Sequence, residues 1–269
     1  MQEAERFGDF TTIAREGRVV LVEFSRGDGM NALSIAAMRE LTALARHLSE
    51  DTASSAIVLT GGGGAFSAGA DLKDPEAAAR RDLSLIEQRQ ALKVGPDMCA
   101  AWEALEQVTV AAIEKFCIGG GVALAAACDH RIAGKSAHLR LPEVPLGMNM
   151  SWHSNPRLVN LMGPSKAKLF TILGEKLSAG KAEAWGLVDE VSADGKACEV
   201  ALDLARRIGA LPPLGVRMSK QSIDMAAKAL NQAVTFMDRD QFALAAGSED
   251  QREAIKAFLE KRPASFKGN

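Results

Sequence analysis

The spacing of hydrophobic positions changes character along the chain, and each change predicts an element. Over residues 11–25, β-favouring residues flank Glu16 and Gly17, the pattern of a hairpin closed by a tight turn. Beyond Ser34 the period lengthens. Ile35, Met38, Leu41, Leu44, Ala45 and Leu48 recur at three- and four-residue steps, which predicts an amphipathic helix with Ser34 as its N-cap. Two short apolar runs, 56–60 and 108–113, each lead into glycines and suit buried strands. Residues 118–128 are small and apolar throughout, so a glycine-rich turn feeding a helix buried on most sides is expected there.

From about residue 155 the pattern turns mostly helical. Asn155-Pro156 and Ser178 are helix start signals and Gly186 is a stop. An amphipathic run over 196–210 ends before Pro212-Pro213, and 214–260 reads as helix with mixed charges. Alternating strand and helix signals imply an α/β core over 1–200, followed by a helical region over 201–269. A chain of 269 residues is near the upper size for one hydrophobic core, so the second part reads as an appendage.

Composition narrows the chemistry. Hydrophobic residues make up 47% and charged residues 25%, which excludes fibrous and disordered classes. Lys+Arg 32 against Asp+Glu 34 leaves a net charge of -2, so nucleic-acid binding has no global electrostatic support and any ligand preference is local. Tyrosine is absent, which removes phenol from the candidate acids. Cys99, Cys117, Cys128 and Cys198 form no Cys-x-x-Cys pair, and His47, His130, His138 and His153 show no ligand spacing; no metal site is expected. With no signal-like amino terminus, no membrane-spanning apolar run and no peroxisomal carboxyl-terminal address, a cytoplasmic protein is expected.

The candidate chemistry sits at two glycine clusters, Gly61 to Gly64 and Gly119 to Gly121. Each follows a predicted strand, where open α/β sheets place ligands, and each lets backbone amides approach a ligand closely. Neither has the spacing of a dinucleotide or P-loop phosphate site. The stretch around Ser67 half matches a nucleophile elbow but lacks the glycine two residues before the serine, which argues against a catalytic Ser67. By spacing alone, a flexible loop and a tight helix contact are the favoured account of the clusters, ahead of a pair of amides aimed at one oxygen.

Four stretches, in this order and spacing, resemble the crotonase superfamily of enoyl-CoA hydratases and isomerases along nearly the whole chain. They are Met30 to Leu33; Ala65 to Lys73; Ile118 to Gly121 leading to Asp129; and Leu141-Pro142-Glu143 followed by Leu146-Gly147. Phe258 to Pro263 extends the match into the tail. The resemblance implies a spiral of repeated β-β-α units with a helical carboxyl-terminal region that builds homotrimers, often paired into hexamers. It also implies an acyl-CoA thioester substrate and no cofactor beyond the CoA moiety. The family's two oxygen-binding N–H groups fall on Ala70 and Gly120. Its CoA contacts fall on Ala68, Ala70 and Leu72, with Asp71 and Gly120 alongside, and Phe242 and Lys261 match late positions where a neighbouring subunit can contribute.

Family hydratases use two glutamates; here those positions hold Ala123 and Glu143. Hydration needs water activated at C3 and a proton delivered at C2, whereas one glutamate can take a proton from C2 and return it to C4. The resemblance is therefore to single-glutamate isomerases, which shift a 3-enoyl-CoA to a 2-enoyl-CoA. Ser151-Trp152-His153-Ser154, where hydratases tend to carry Gly-Ala-Gly-Gly, points the same way, although Trp152 also suits a core or trimer contact. His153, Asp71, Asp74 and Glu87 remain candidate second acids; Asp71 reads first as a turn or N-cap residue, and Arg80-Arg81 as a solvated face. A one-glutamate hydratase or hydratase-lyase, or a weakly catalytic CoA- or RNA-binding paralogue, stay open as alternatives.

Overall fold

The fold begins with a hairpin and continues as an alternation of the chain between two sheets. A computed structural model describes residues 1–269 apart from the Arg81 side chain, so the expectation for the Arg80-Arg81 face lies partly outside the described residues. Ten strands carry the framework: β1 (Glu5–Arg6), β2 (Thr11–Glu16), β3 (Val19–Phe24), β4 (Ala56–Gly61), β5 (Val108–Ile113), β6 (Phe116–Ile118), β7 (His130–Gly134), β8 (His138–Arg140), β9 (Leu177–Ser178) and β10 (Glu190–Ser192). The larger sheet has the order β1-β2-β3-β4-β5-β7-β10 and the smaller one β6-β8-β9.

The hairpin pairs Thr11 with Phe24 and Glu16 with Val19, as its pattern predicts. From β3 onward the large sheet is parallel, with Val19 beside Ala56, Ala56 beside Val108, and Val110 beside His130. Between these strands the chain crosses to the small sheet, where β6 and β8 run parallel. Two isolated parallel bridges, Ser67 to Cys117 and Leu33 to Ala70, continue that surface backward through earlier turns of the chain. Successive turns thus stack on one another, giving the crotonase-type spiral.

Ser34 caps the helix Ile35–Ser49 by accepting the Ala37 N–H at 3.2 Å, and the predicted apolar face is fully buried against the sheet. The helix Gly120–Ala127 buries every residue, as its small side chains allow. On the other side of the large sheet, Ala197, Ala201 and Ala205 of the helix Ala197–Gly209 pack on Val58, Val110, Ala112 and Ile132. The division expected at residue 200 falls inside this helix, because its alanine face belongs to the core. The chain leaves the sheet only at Leu211-Pro212.

Beyond that point the helix Pro213–Ala227 is tied back to the core by one buried and one partly buried cation. Lys220 pairs with Asp129 at 2.6 Å and donates to the Gln107 carbonyl, and Arg217 donates to the carbonyls of Asp51 and Ser54. Among the described residues no helix is long and apolar enough to cross a membrane.

Candidate active site

The first glycine cluster turns the chain out of β4 toward a cavity, and a buried asparagine fixes the path. Asn31, fully buried, donates from Nδ2 to the carbonyls of Gly62 and Ala65 at 2.7 and 2.8 Å. Its carbonyl accepts the Ser67 hydroxyl at 2.7 Å, and Ser67 Oγ accepts the Gly69 N–H. Ser67 is thereby a buried structural hydroxyl, in line with the missing elbow glycine. The bridge to Leu33 uses the Gly69 carbonyl and the Asp71 N–H. The N–H of Ala70 consequently points away from Leu33, on the side of the cavity that Ala70 lines.

The second cluster supplies the matching group. Gly120 is the first residue of its helix, so its N–H has no intrahelical acceptor. The two turns touch: a Cβ on Gly69 would stand 2.5 Å from the Ile118 carbonyl oxygen and 3.2 Å from the Gly120 nitrogen. Gly69 has a φ of +85°, and glycine meets both requirements at once. Ala68, Ala70, Asp71, Leu72, Gly120 and Glu143 all line one cavity of about 200 Å³, as does Phe242 from the helix Asp238–Ala246 of the same chain. Lys261 lies elsewhere, exposed, as the left-handed C-cap of the helix Glu249–Glu260.

Glu143 reaches the cavity from the loop after β8. That loop is closed by the Leu146 N–H on the Pro142 carbonyl and the Met148 N–H on the Glu143 carbonyl. Its carboxyl Oε2 is buried without a hydrogen-bond partner, and burial pushes the Glu143 pKa up to about 7. Two other carboxylates line the cavity, and both are engaged. The Arg26 guanidinium beside Asp71 holds its carboxyl below the usual range, and Asp71 also accepts the Lys73 N–H as a turn residue. Asp74 caps two helices, accepting Ile35 N–H on one oxygen and Glu76 and Ala77 N–H on the other. The remaining candidate acids lie outside. Glu87 is exposed in a capping box with Ser84, and His153 lines a separate depression beside Lys93 and Arg239. Burial raises the Cys99 and Cys128 thiols to about 12, so neither is a thiolate nucleophile.

Trp152 covers the cavity from the side. Its indole lies between two glycines: a Cβ on Gly95 would stand 2.1 Å from the ring and one on Gly120 2.3 Å. The ring is held there by its backbone. Trp152 has a φ of +61°, Arg157 donates to its carbonyl at 2.9 Å, and Arg157 is itself paired with Glu103. Next to it, Ser151 donates to Asp238 at 2.7 Å, which joins this loop to the carboxyl-terminal helices. Sequence reasoning found Trp152 but neither Gly95 nor Asp238, since no local pattern marks a contact made across the fold. Asp74 did carry a signal, the following Pro75 at the first helical position.

A spiral of stacked turns in which two glycine-rich turns and one buried carboxylic acid line a single cavity is a crotonase-type arrangement. The family model described as enoyl-CoA hydratase/isomerase matches residues 14–269, and the chain belongs to that family. It is 33% identical to the 2,3-dehydroadipyl-CoA hydratase of Escherichia coli over 95% of this chain and 98% of that enzyme. It is 30% identical to the short-chain-enoyl-CoA hydratase of Clostridium acetobutylicum over 93% of this chain and 94% of the relative. Among solved structures, an enoyl-CoA hydratase/isomerase from Pseudoalteromonas atlantica superposes with a TM-score of 0.83 at 27% identity, covering 96% of this chain and 99% of the other.

Proposed function

We propose that this enzyme shifts the double bond of a 3-enoyl-CoA to the 2-position, with Glu143 as the sole proton carrier. The supporting observation is that Glu143 is the one cavity carboxylate with neither an ion pair nor a capping role. In this reading the thioester oxygen lies against the N–H groups of Ala70 and Gly120. Ionised Glu143 takes a proton from C2, and the electron pair moves through the thioester carbonyl to give a dienolate. The two amides stabilise the oxygen charge, since preorganised donors act most strongly where charge develops. Protonated Glu143 then returns the proton to C4, the electrons settle between C2 and C3, and the base is restored without water.

The all-apolar helix Gly120–Ala127 offers no second acid, with Ala123 in the core, and Trp152 fills space beside the amides. The names of the hydratase relatives favour a second reading, hydration of a 2-enoyl-CoA through Glu143 and a bound water. Supplying purified protein with a 3-enoyl-CoA and, separately, a 2-enoyl-CoA decides between them. Rapid hydration of the second with no turnover of the first would sink the isomerase. Assembly into trimers or hexamers belongs to the same proposal. It is supported by exposed apolar residues on and near the helix Pro213–Ala227, among them Leu214, Ile223 and Met225, and is checked by light scattering.

A further inference from the structure

Arg80 is a cavity residue that the proton chemistry does not use. It lines the same cavity as Glu143, and its Nε is buried with no hydrogen-bond partner. Among the described residues its guanidinium makes no hydrogen bond and no ion pair. The two carboxylates that attract it are otherwise committed: Asp74 takes three backbone N–H groups, and Glu76 is held by both terminal nitrogens of Arg39, at 2.9 and 2.6 Å. Burial outweighs their attraction and lowers the Arg80 pKa. A half-buried cation whose Nε is shut off from both water and any partner is costly unless an anion completes it.

The walls that share the cavity with Arg80 include Leu33, Ile35, Met38, Ala77 and Leu92. Such surroundings suit an alkyl chain and offer nothing to a polyphosphate. We infer that Arg80 binds a carboxylate at the far end of the acyl group, so that the preferred substrate is the CoA monothioester of a dicarboxylic acid. This deepens the acyl-CoA reading above and rests on it. A planar guanidinium receives a carboxylate with two parallel hydrogen bonds, which a lysine ammonium does not reproduce. Arg80 is thus a specificity residue, acting on which acyl group enters and not on the proton transfer.

The test uses full-length protein and pairs of substrates of equal chain length, one ending in a methyl group and one in a carboxylate. The readout is the ratio of their kcat/KM values in wild type, Arg80→Met and Arg80→Lys. Wild type should prefer the carboxylate substrate, and Arg80→Met should lower the ratio by about ten- to a hundredfold, mainly through KM. Arg80→Lys should recover part of the loss. A ratio unchanged by Arg80→Met would overturn the proposal. So would equal losses on both substrates that disappear when 3′-dephospho-CoA thioesters are used, since the anion would then belong to CoA. Binding of adipoyl-CoA and hexanoyl-CoA by calorimetry separates this from failure of the isomerase reading. These saturated thioesters undergo neither reaction, and adipoyl-CoA must still bind more tightly in wild type but not in Arg80→Met.

Discussion

The carboxyl group of Glu143 rests on the α-carbon of Gly119: a Cβ at position 119 would stand 2.5 Å from Oε1. Gly119 precedes the helix whose first N–H belongs to Gly120, and its φ of +52° is one that side chains resist. One residue without a side chain therefore sets both the acid and one of the two amides. Gly119→Ala should displace them together. The expected result is a loss of about a hundredfold in kcat with folding retained, because small misplacements of reacting groups carry penalties of that order. Steady-state turnover beside a thermal melt checks it.

Glu143→Gln keeps the shape of the site and removes the proposed base. Turnover should fall by about 10²- to 10⁴-fold. In wild type kcat/KM should decline as pH drops through about 7, where Glu143 takes up its proton, and the residual activity of the variant should lack that limb. An acid limb near the ordinary glutamate range would show that Glu143 is not desolvated in solution.

The same shift bears on stability, with the opposite benefit. The folded-state pKa of about 7 lies above the ordinary 4.5, so the native state holds the proton more tightly and stability falls as pH rises between these values. Fully expressed, a shift from 4.5 to about 7 corresponds to roughly 3 kcal/mol. Glu143→Gln, which is never ionised, should therefore melt above wild type at pH above 7, and the gain should vanish as pH falls toward 4.5. Melting temperatures of both proteins across this range measure the difference.

Gly95 and Trp152 form a second pair that a double-mutant cycle can read. Adding a methyl group at 95 drives it into the indole, so Gly95→Ala should destabilise by about 1 to 3 kcal/mol. In a Trp152→Leu background the same change should cost much less, because the ring it strikes is gone. Additive effects in urea unfolding would mean that the indole does not occupy this slot.

Much of this architecture was legible from periodicity. The hairpin about Gly17, the buried face from Ile35 to Leu48 and the two strands before the glycine clusters all depend on local spacing, and the structure has them where the pattern puts them. Ala68, Ala70, Asp71, Leu72, Gly120, Phe242 and Glu143 were brought together in advance by the family motifs, and they share one cavity here. Arg80 and Gly95 were not, because their meaning comes from partners on other elements: a missing counter-charge for one, an indole from a distant loop for the other. The helix that spans residue 200 was hard to read for a related reason. Alanines at 197, 201 and 205 look neutral in sequence, yet their small size lets that helix lie close on the sheet.

Phe242 lines the cavity from the carboxyl-terminal helices, while the last strand, β10, is complete at Ser192. A chain emerging from the ribosome can therefore assemble its whole sheet framework long before its cavity has a full wall. Through that interval the cavity that Glu143 lines lacks the side chain of Phe242. The cavity is in this sense finished by the end of the chain, although the strands that frame it are drawn from its first two hundred residues.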